Sequence, residues 1–351
     1  MWKIASKVLF EFSVRILLWD VDTQVVTRRF VMSQTIIEVK NLEKQYMKQK
    51  AVDDVSFQIK EGMICGLIGP NGAGKTTIMK MLGGLVLPTG GSMTLFGGTD
   101  EEELAKARSR MSFMIETPYA KEKMSARENL EKQRLQKGIP NKERIDEVLE
   151  IVGLTDTGKK PVQKFSLGMR QRLGIANALL TKPEIMILDE PVNGLDPEGI
   201  VEIRELLLKL NREEHITILI SSHILSELSL LCTDYLFINK GKLLENVSAR
   251  DLKRICKEYY HIGTDNNSLA LAILQEKLGM TEYEVEQDGS IRLFEKLEDV
   301  RTISKTLFEG GVIPTTLHMN EANLEQYYMN MVGGEEDVEH SKGSKLSIKK
   351  R

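Results

Sequence analysis

Gly69-Pro70-Asn71-Gly72-Ala73-Gly74-Lys75-Thr76 fits the pattern GxxxxGK[ST], and the reading of the whole chain turns on it. Glycines let a backbone curl until several N–H groups point inward at one anion. Just upstream, Ile64-Cys65-Gly66-Leu67-Ile68 is an unbroken apolar run, the pattern of a strand buried on both faces. Downstream, Ile78, Met79, Leu82 and Leu85 recur at helical spacing from Lys75 onward. A glycine turn between such a strand and helix also collects the positive potential of the helix N-terminus. Lys75 adds a point charge for β- and γ-phosphates, and Thr76 offers a hydroxyl to Mg²⁺. The loop with Thr77 is therefore the candidate phosphate site of a nucleoside triphosphate.

A second apolar strand, Ile185-Met186-Ile187-Leu188, ends in Asp189 and Glu190. A hard cation on a triphosphate wants oxygen ligands, which suits Asp189 at the strand tip. Glu190 can accept the proton of an attacking water. Taken alone, a strand ending in two acids is equally a solvated turn; beside the lysine loop it reads as a triphosphatase.

Between and beyond these motifs strands alternate with helices. The pattern predicts strands at Ile36–Val39, Val55–Ile59, Ile64–Ile68, Ile185–Leu188 and Thr217–Ser221. Helices are predicted at Ile200–Leu210 and after His223. This order makes a parallel sheet covered by helices on both sides. Residues 116–165 are more charged and read as helical. Ser125 with Glu128 forms a capping box, and Asn141 caps a helix with the stripe Ile145, Val148, Leu149 and Val152, ended by Gly153. Residues 256–332 carry no phosphate motif. Their order of strand (Tyr259–Gly263), helix (Ser268–Leu278), two strands (Tyr283–Gln287, Ile291–Phe294), helix (Glu298–Gly310), strand (Val312–Met319) and helix (Asn323–Val332) suggests a small ferredoxin-like α+β domain. Residues 1–31 stand apart, with Phe10, Phe12, Val14, Ile16 and Leu18 alternating at a period of two. Met32 offers a second start, so this stretch reads as an upstream extension; an amphipathic membrane-surface segment is the rival reading. The acidic then basic end, 333–351, reads as a disordered tail.

Composition narrows the class. The 351 residues are 41% hydrophobic and 28% charged, as in ordinary globular chains, and the net charge of −3 lacks the basic excess of a nucleic-acid binder. The 3 cysteines have no metal-ligand spacing, which argues against a disulfide framework or a zinc site. No apolar run reaches the about 18 residues of a membrane span.

Three further motifs name a family. Phe165-Ser166-Leu167-Gly168-Met169-Arg170-Gln171-Arg172 resembles the LSGGQ signature of ABC ATPases. Asn193-Gly194-Leu195-Asp196 resembles their D-loop, and Ile220-Ser221-Ser222-His223 their switch-histidine loop. All stand in the family's order, so residues 35–245 resemble an ABC transporter ATPase. The wording FSLGMRQRLGIA, with Glu116 where most members carry a glutamine, looks like the bacitracin/lantibiotic-export subgroup. Two departures matter: Leu167 and Met169 replace the signature's first glycine and its glutamine, and Glu116 replaces an amide by a carboxylate.

The resemblance implies an α/β P-loop fold with a parallel core sheet, an antiparallel β subdomain and a helical subdomain at about 116–165. It implies that Tyr46 stacks on adenine, that Ser166 and Gly168 approach the γ-phosphate of a partner's ATP, and that Asp196 completes that interface. His223 would contact the γ-phosphate beside Glu190, and Glu116 would join Thr76 and Asp189 at the metal. It further implies ATP and Mg²⁺ as ligands, a head-to-tail homodimer, and a separate permease that holds the chain at the cytoplasmic face of the membrane. The cargo would be an antimicrobial peptide or drug moving outward. Three rivals are a non-transport ABC ATPase, a sensor subunit with little turnover, and another P-loop enzyme. The single cassette without long insertions disfavours the first, Glu190 and His223 the second, and the signature the third.

Overall fold

Three buried strands set the architecture. In the computed structural model, which describes residues 34–116, 120–255, 259–286, 288–295, 300–320, 327–329 and 331–332, every residue of β3 (Ile64–Ile68), β6 (Ile185–Asp189) and β7 (Thr217–Ser222) is buried. Strands apolar on both faces need cover on both faces, and this is the condition of a parallel sheet. Together with β5 (Met111–Met114), β8 (Asp234–Asn239) and β9 (Lys242–Ser248) they form one sheet in the order β5-β6-β7-β3-β8-β9. The first five are parallel and β9 runs antiparallel to β8.

The period of two divides the core. Ile64, Ile68, Met186, Leu188, Ile218 and Ile220 face one hydrophobic cluster, and Cys65, Leu67, Ile185, Ile187 and Leu219 face the other. The second face is covered by α1 (Lys75–Leu82) and by the antiparallel sheet of β1 (Thr35–Tyr46), β2 (Gln49–Lys60) and β4 (Gly90–Leu95) in the order β2-β1-β4. The first face is covered by α3 (Ala126–Gln136), α4 (Arg144–Ile151), α5 (Leu167–Leu179) and α6 (Pro197–Glu213). Ser125 and Glu128 close the expected capping box at the start of α3. Cys65 and Cys232 are buried in these cores, and burial pushes both thiols well above their usual range, away from reactive thiolate character.

Several details differ from the sequence reading. Helix α1 stops at Leu82 because Gly83 and Gly84 follow, so Leu85 leaves the apolar face and is 67% exposed. The Asn141 side chain accepts from Glu143 N at 2.9 Å, forming the turn before α4 rather than its cap. The stripe Ile145, Val148, Leu149 and Val152 is buried as expected. The helix expected after His223 is α7 (Leu225–Ser229), whereas strands β4, β5, β8 and β9, with helices α2 (Glu101–Arg108) and α8 (Ala249–Ile255), were not legible in the pattern. The expected extension at 1–31, the tail at 333–351 and the start of the last helix lie outside the described residues.

A second sheet follows. Strands β10 (Tyr259–Thr264), β11 (Tyr283–Val285), β12 (Ile291–Leu293) and β13 (Pro314–Asn320) are antiparallel in the order β11-β12-β10-β13. Helices α9 (Asn267–Leu278) and α10 (Val300–Glu309) pack on it over a core of its own, centred on Ile262, Ile273, Leu293, Ile303 and Leu307. The chain then returns to the first domain. The rings of Tyr327 and Tyr328 lie 5.8 and 6.0 Å from that of Phe237 on β8, and Tyr327 Oη donates to Glu245 on β9 at 2.6 Å. Tyr328 is 9% exposed and belongs to the helical-face core.

Replacing this ring by a methyl group leaves a cavity against Phe237. Tyr328→Ala should cost about 3 kcal/mol of unfolding free energy. Urea denaturation of the full chain measures it, and a loss under about 1 kcal/mol would mean that the C-terminal return does not brace the cassette.

Candidate functional site

The loop after β3 is shaped by close approaches. A Cβ on Gly69 would sit 2.2 Å from Ile238 O on β8, and one on Gly74, at φ 110°, would sit 2.5 Å from Ala51 O. Only glycine fits either place. Gly241, in the β8–β9 turn, donates its N–H to Ala73 O at 3.0 Å, tying the loop to its neighbouring strands. Lys75 opens α1 and is 5% exposed; its Nζ donates to Gly69 O at 2.6 Å and lies 3.2 Å from Glu190 Oε1.

The sheet order explains why distant motifs meet. Strand β7 lies between β6 and β3, and all three are parallel. Their C-terminal ends therefore open on one edge: the lysine loop from β3, Asp189 and Glu190 from β6, and Ser221 to His223 from β7. Thr76 Oγ1 donates to Asp189 Oδ2 at 2.7 Å, and Ser221 Oγ donates to Asp189 Oδ1 at 2.6 Å. Ser221 Oγ also accepts from Glu190 N at 2.9 Å, where the backbone turns to φ 50°. That turn breaks the strand's alternation and sends the Glu190 carboxylate to different partners, with Oε2 lying 2.7 Å from His223 Nδ1.

The two acids are thus differentiated. Asp189 is buried and shares its oxygens with hydroxyls, whereas Glu190 bridges the loop lysine and a histidine that is 37% exposed. Thr76 and Asp189 form the hard-oxygen pair that suits Mg²⁺, which takes few protein ligands and completes its shell with phosphate and water. No cluster of three or more acids, histidines or cysteines fit for a metal occurs among the described residues. Glu116, at φ 62°, turns its exposed carboxylate to Lys80 Nζ on α1 at 2.6 Å. That bond, followed by the charge of Glu116, holds the Lys80 ammonium above its usual range. Lys80 and Ser221 are the site neighbours that sequence reading left out; Ser221 was visible as the hydroxyl two residues before His223, whereas Lys80 carried no signal.

The remaining candidates gather elsewhere. Ser166 caps α5 by accepting from Met169 N, and Asp196 caps α6 by accepting from Gly199 N. A Cβ on Gly168 would lie 3.8 Å from Leu195, and one on Gly194 would lie 3.3 Å from Leu167, so the signature turn packs on the Asn193–Asp196 turn of the same chain. Leu167, in place of a glycine, supplies that contact. No hydrogen bond joins Ser166 or Gly168 to the loop at 69–76 among the described residues. Tyr46 ends β1 with its ring 45% exposed and the Lys44 ammonium 5.0 Å from its centroid.

Comparison with known proteins agrees with this geometry. A family model described as ABC transporter matches residues 52–193. The bacitracin transport ATP-binding protein BcrA of Bacillus licheniformis is 43% identical over 300 residues, which cover 86% of this chain and 98% of that protein. The lantibiotic transport ATP-binding protein SrtF of Streptococcus pyogenes is 43% identical over 209 residues, covering 60% of this chain and 89% of SrtF. A dimeric, post-hydrolysis ATP-binding cassette, MJ0796 with ADP and Pi, superposes with a TM-score of 0.55 at 26% identity, over 61% of this chain and 99% of that one. No helix among the described residues is long and apolar enough to cross a membrane. The chain belongs to the ATP-binding subunits of ABC transporters.

Proposed function

We propose that this chain hydrolyses Mg·ATP as a head-to-tail homodimer and drives a separate permease that exports an antimicrobial peptide of the bacitracin or lantibiotic kind. The observation that carries the hydrolytic reading is the unlike bonding of two consecutive acids. Asp189, fixed between Thr76 and Ser221, is a ligand and not a base. Glu190 reaches His223 and Lys75 and is free of hydroxyl partners at the carboxylate, so it is the group able to take a proton from water. Mg²⁺ held at Thr76 and Asp189 would supply charge neutralisation on the phosphates.

The residues then divide the work. The loop N–H groups and Lys75 hold the β- and γ-phosphates. Lys75 cannot serve both the γ-phosphate and Glu190 fully, so the phosphate competes for the ammonium and frees a Glu190 oxygen for water while His223 keeps the carboxylate oriented. The dimer reading rests on the separation of Ser166, Gly168 and Asp196 from the loop in one chain: a second copy must bring its signature to each ATP. The dimeric state printed for MJ0796 supports it. The peptide cargo rests on the names of BcrA and SrtF, and location at the membrane's cytoplasmic face follows from the permease.

Lys75→Ala should lower ATP turnover by at least about 100-fold, because the loop loses its charge on the developing phosphate. A normal rate of phosphate release would refute the assigned site.

Glu190→Gln should retain ATP but release phosphate at least about 100-fold more slowly, since an amide accepts no proton. With Mg·ATP this variant should elute as a dimer. Wild-type turnover would remove Glu190 as the base; a slow variant that stays monomeric beside its permease would count against the sandwich.

Glu116 is exposed and paired with the half-buried Lys80, so Glu116→Gln should keep phosphate release within about tenfold, or roughly 1.4 kcal/mol of barrier. Its Mg²⁺ dependence should shift. Inactivity equal to that of Glu190→Gln would make Glu116 part of the chemistry. Peptide-antibiotic resistance of cells carrying the permease with each variant tests the transport arm separately.

A further inference from the structure

The four-stranded sheet of the second domain has one face that nucleotide chemistry does not use. Tyr260 and Ile262 of β10 point into the helix-covered core with Ile291 and Leu293 of β12. Strand alternation sends Tyr259, His261 and Arg292 to the opposite face. On β13 the partner directly across from His261 is His318. Their ring centroids are 5.1 Å apart with planes at 33°, His318 is exposed, and neither imidazole makes a hydrogen bond among the described residues. Directly opposed cross-strand residues hold their Cβ atoms at roughly 4.5–5.5 Å, close enough for two imidazoles on one face to reach a common ion.

The surroundings favour a cation there. Glu286 Oε2 lies 3.5 Å from His261 Nδ1. The Glu286 carboxylate is anchored by the Arg292 guanidinium and Asp288 accepts from Ser290 N, and the two carboxylates share the single proton of the Ser290 hydroxyl, 2.8 and 2.6 Å away. The Ser290 bonds, with Arg292 for Glu286, hold both carboxyls below the usual range. Two carboxylates and one guanidinium leave a net charge of −1 beside His261. Arg292 is further occupied by the Tyr259 ring, 5.0 Å from its Cζ.

We propose that His261 and His318 are a bidentate site for a divalent transition-metal ion of the Zn²⁺, Ni²⁺ or Cu²⁺ kind on the outer face of this sheet. Imidazole nitrogens suit such borderline ions and not Mg²⁺. Glu286, engaged by Ser290 and Arg292, is a positioning residue: its oxygen faces Nδ1, which leaves His261 Nε2 as the donor toward the metal. With two imidazole donors from the described residues, the other coordination positions would be open to water or to an outside ligand. Such an open site exchanges its ion readily, unlike a closed four-ligand structural centre.

The test uses the full chain without a histidine tag, stripped of metal, in calorimetric titrations with Ni²⁺, Zn²⁺ and Mg²⁺. The wild type should bind one Ni²⁺ or Zn²⁺ per chain and no Mg²⁺ at this site. His318→Ala, at an exposed position, should keep the far-ultraviolet circular dichroism of the wild type and weaken Ni²⁺ binding at least tenfold or so, because the chelate is lost. Glu286→Gln should weaken it by roughly tenfold with both imidazoles in place. His215→Ala, distant in sequence and outside this sheet, should bind as the wild type does. Wild-type affinity in His318→Ala, no binding of Ni²⁺ or Zn²⁺ by the wild type, or loss in His215→Ala alone would each overturn the proposal. ATP turnover enters none of these readings, so failure here leaves the hydrolytic assignment untouched.

Discussion

One hydroxyl organises the edge of the sheet where the candidate site lies. Ser221 donates to Asp189 and accepts from the Glu190 backbone, so a single side chain on β7 fixes two consecutive acids of β6. Two neighbouring carboxylates repel and would otherwise share partners. Here the turn at Glu190 separates them, at the cost of a left-handed conformation worth about 1–3 kcal/mol for a residue with a Cβ. The hydrogen bond from Glu190 N to Ser221 offsets part of that cost. The remainder is tolerated because the β6–β7–β3 register over-determines the edge: Asp189 pairs with Ser221, and Ile68 with Ser222.

That register also explains the order of the motifs along the chain. A loop, an acid pair and a histidine spread over more than a hundred residues meet only because parallel strands place their C-terminal ends side by side. In open parallel sheets ligands bind at such an edge, where chain connections leave in opposite directions. The parallel arrangement in turn depends on strands apolar on both faces, which requires the helices on one side and the β2-β1-β4 sheet on the other. Nucleotide chemistry here is thus a consequence of burial before it is one of individual side chains.

The residues of the candidate site were legible in the sequence and much of their surroundings was obscure, for identifiable reasons. Lys75, Thr76, Asp189, Glu190 and His223 stand at the ends of strands whose continuous apolar runs are unmistakable, and the structure brings them together. Ser166, Gly168 and Asp196 were readable only through family resemblance, because they gather at a different turn and complete nothing within one chain. Strand β8, with Tyr235 to Asn239 buried, was equally apolar but lacked a motif at its end. Strand β9 alternates too weakly to register, since it is an edge strand with one face partly exposed. The long β1 and β2 were read only where apolar residues are dense; toward the Tyr46–Gln49 turn each keeps a single fully buried aliphatic residue, Leu42 and Val52, among mostly polar neighbours. Glu116 shows the limit most plainly. Its position was readable, but its partner Lys80 was not, since a lysine on an otherwise ordinary helix gives no sign of what it meets.

Strands β8 and β9 matter more than their weak signal suggests, because they are the physical link between the two domains' work. Their turn holds the phosphate loop through Gly241 N–H and Ala73 O, and β8 packs its Ile238 against Gly69. Midway along the pair, at the cross-strand partners Phe237 and Glu245, they are gripped by Tyr327 and Tyr328, which arrive only after the chain has built the second sheet. The second domain is therefore not a pendant: its last segment is part of the cassette's core. Contiguity of this sort transmits a signal only where some element has two arrangements that both sites bias. On the proposed mechanism the Lys75–Glu190 pair would be such an element, with the lysine exchanging a carboxylate for phosphate. A change in how Tyr327 and Tyr328 seat on β8 and β9 would act on the backbone that sets the loop's curvature. The contacts run without a gap from the second domain's last segment through β8 to the phosphate loop.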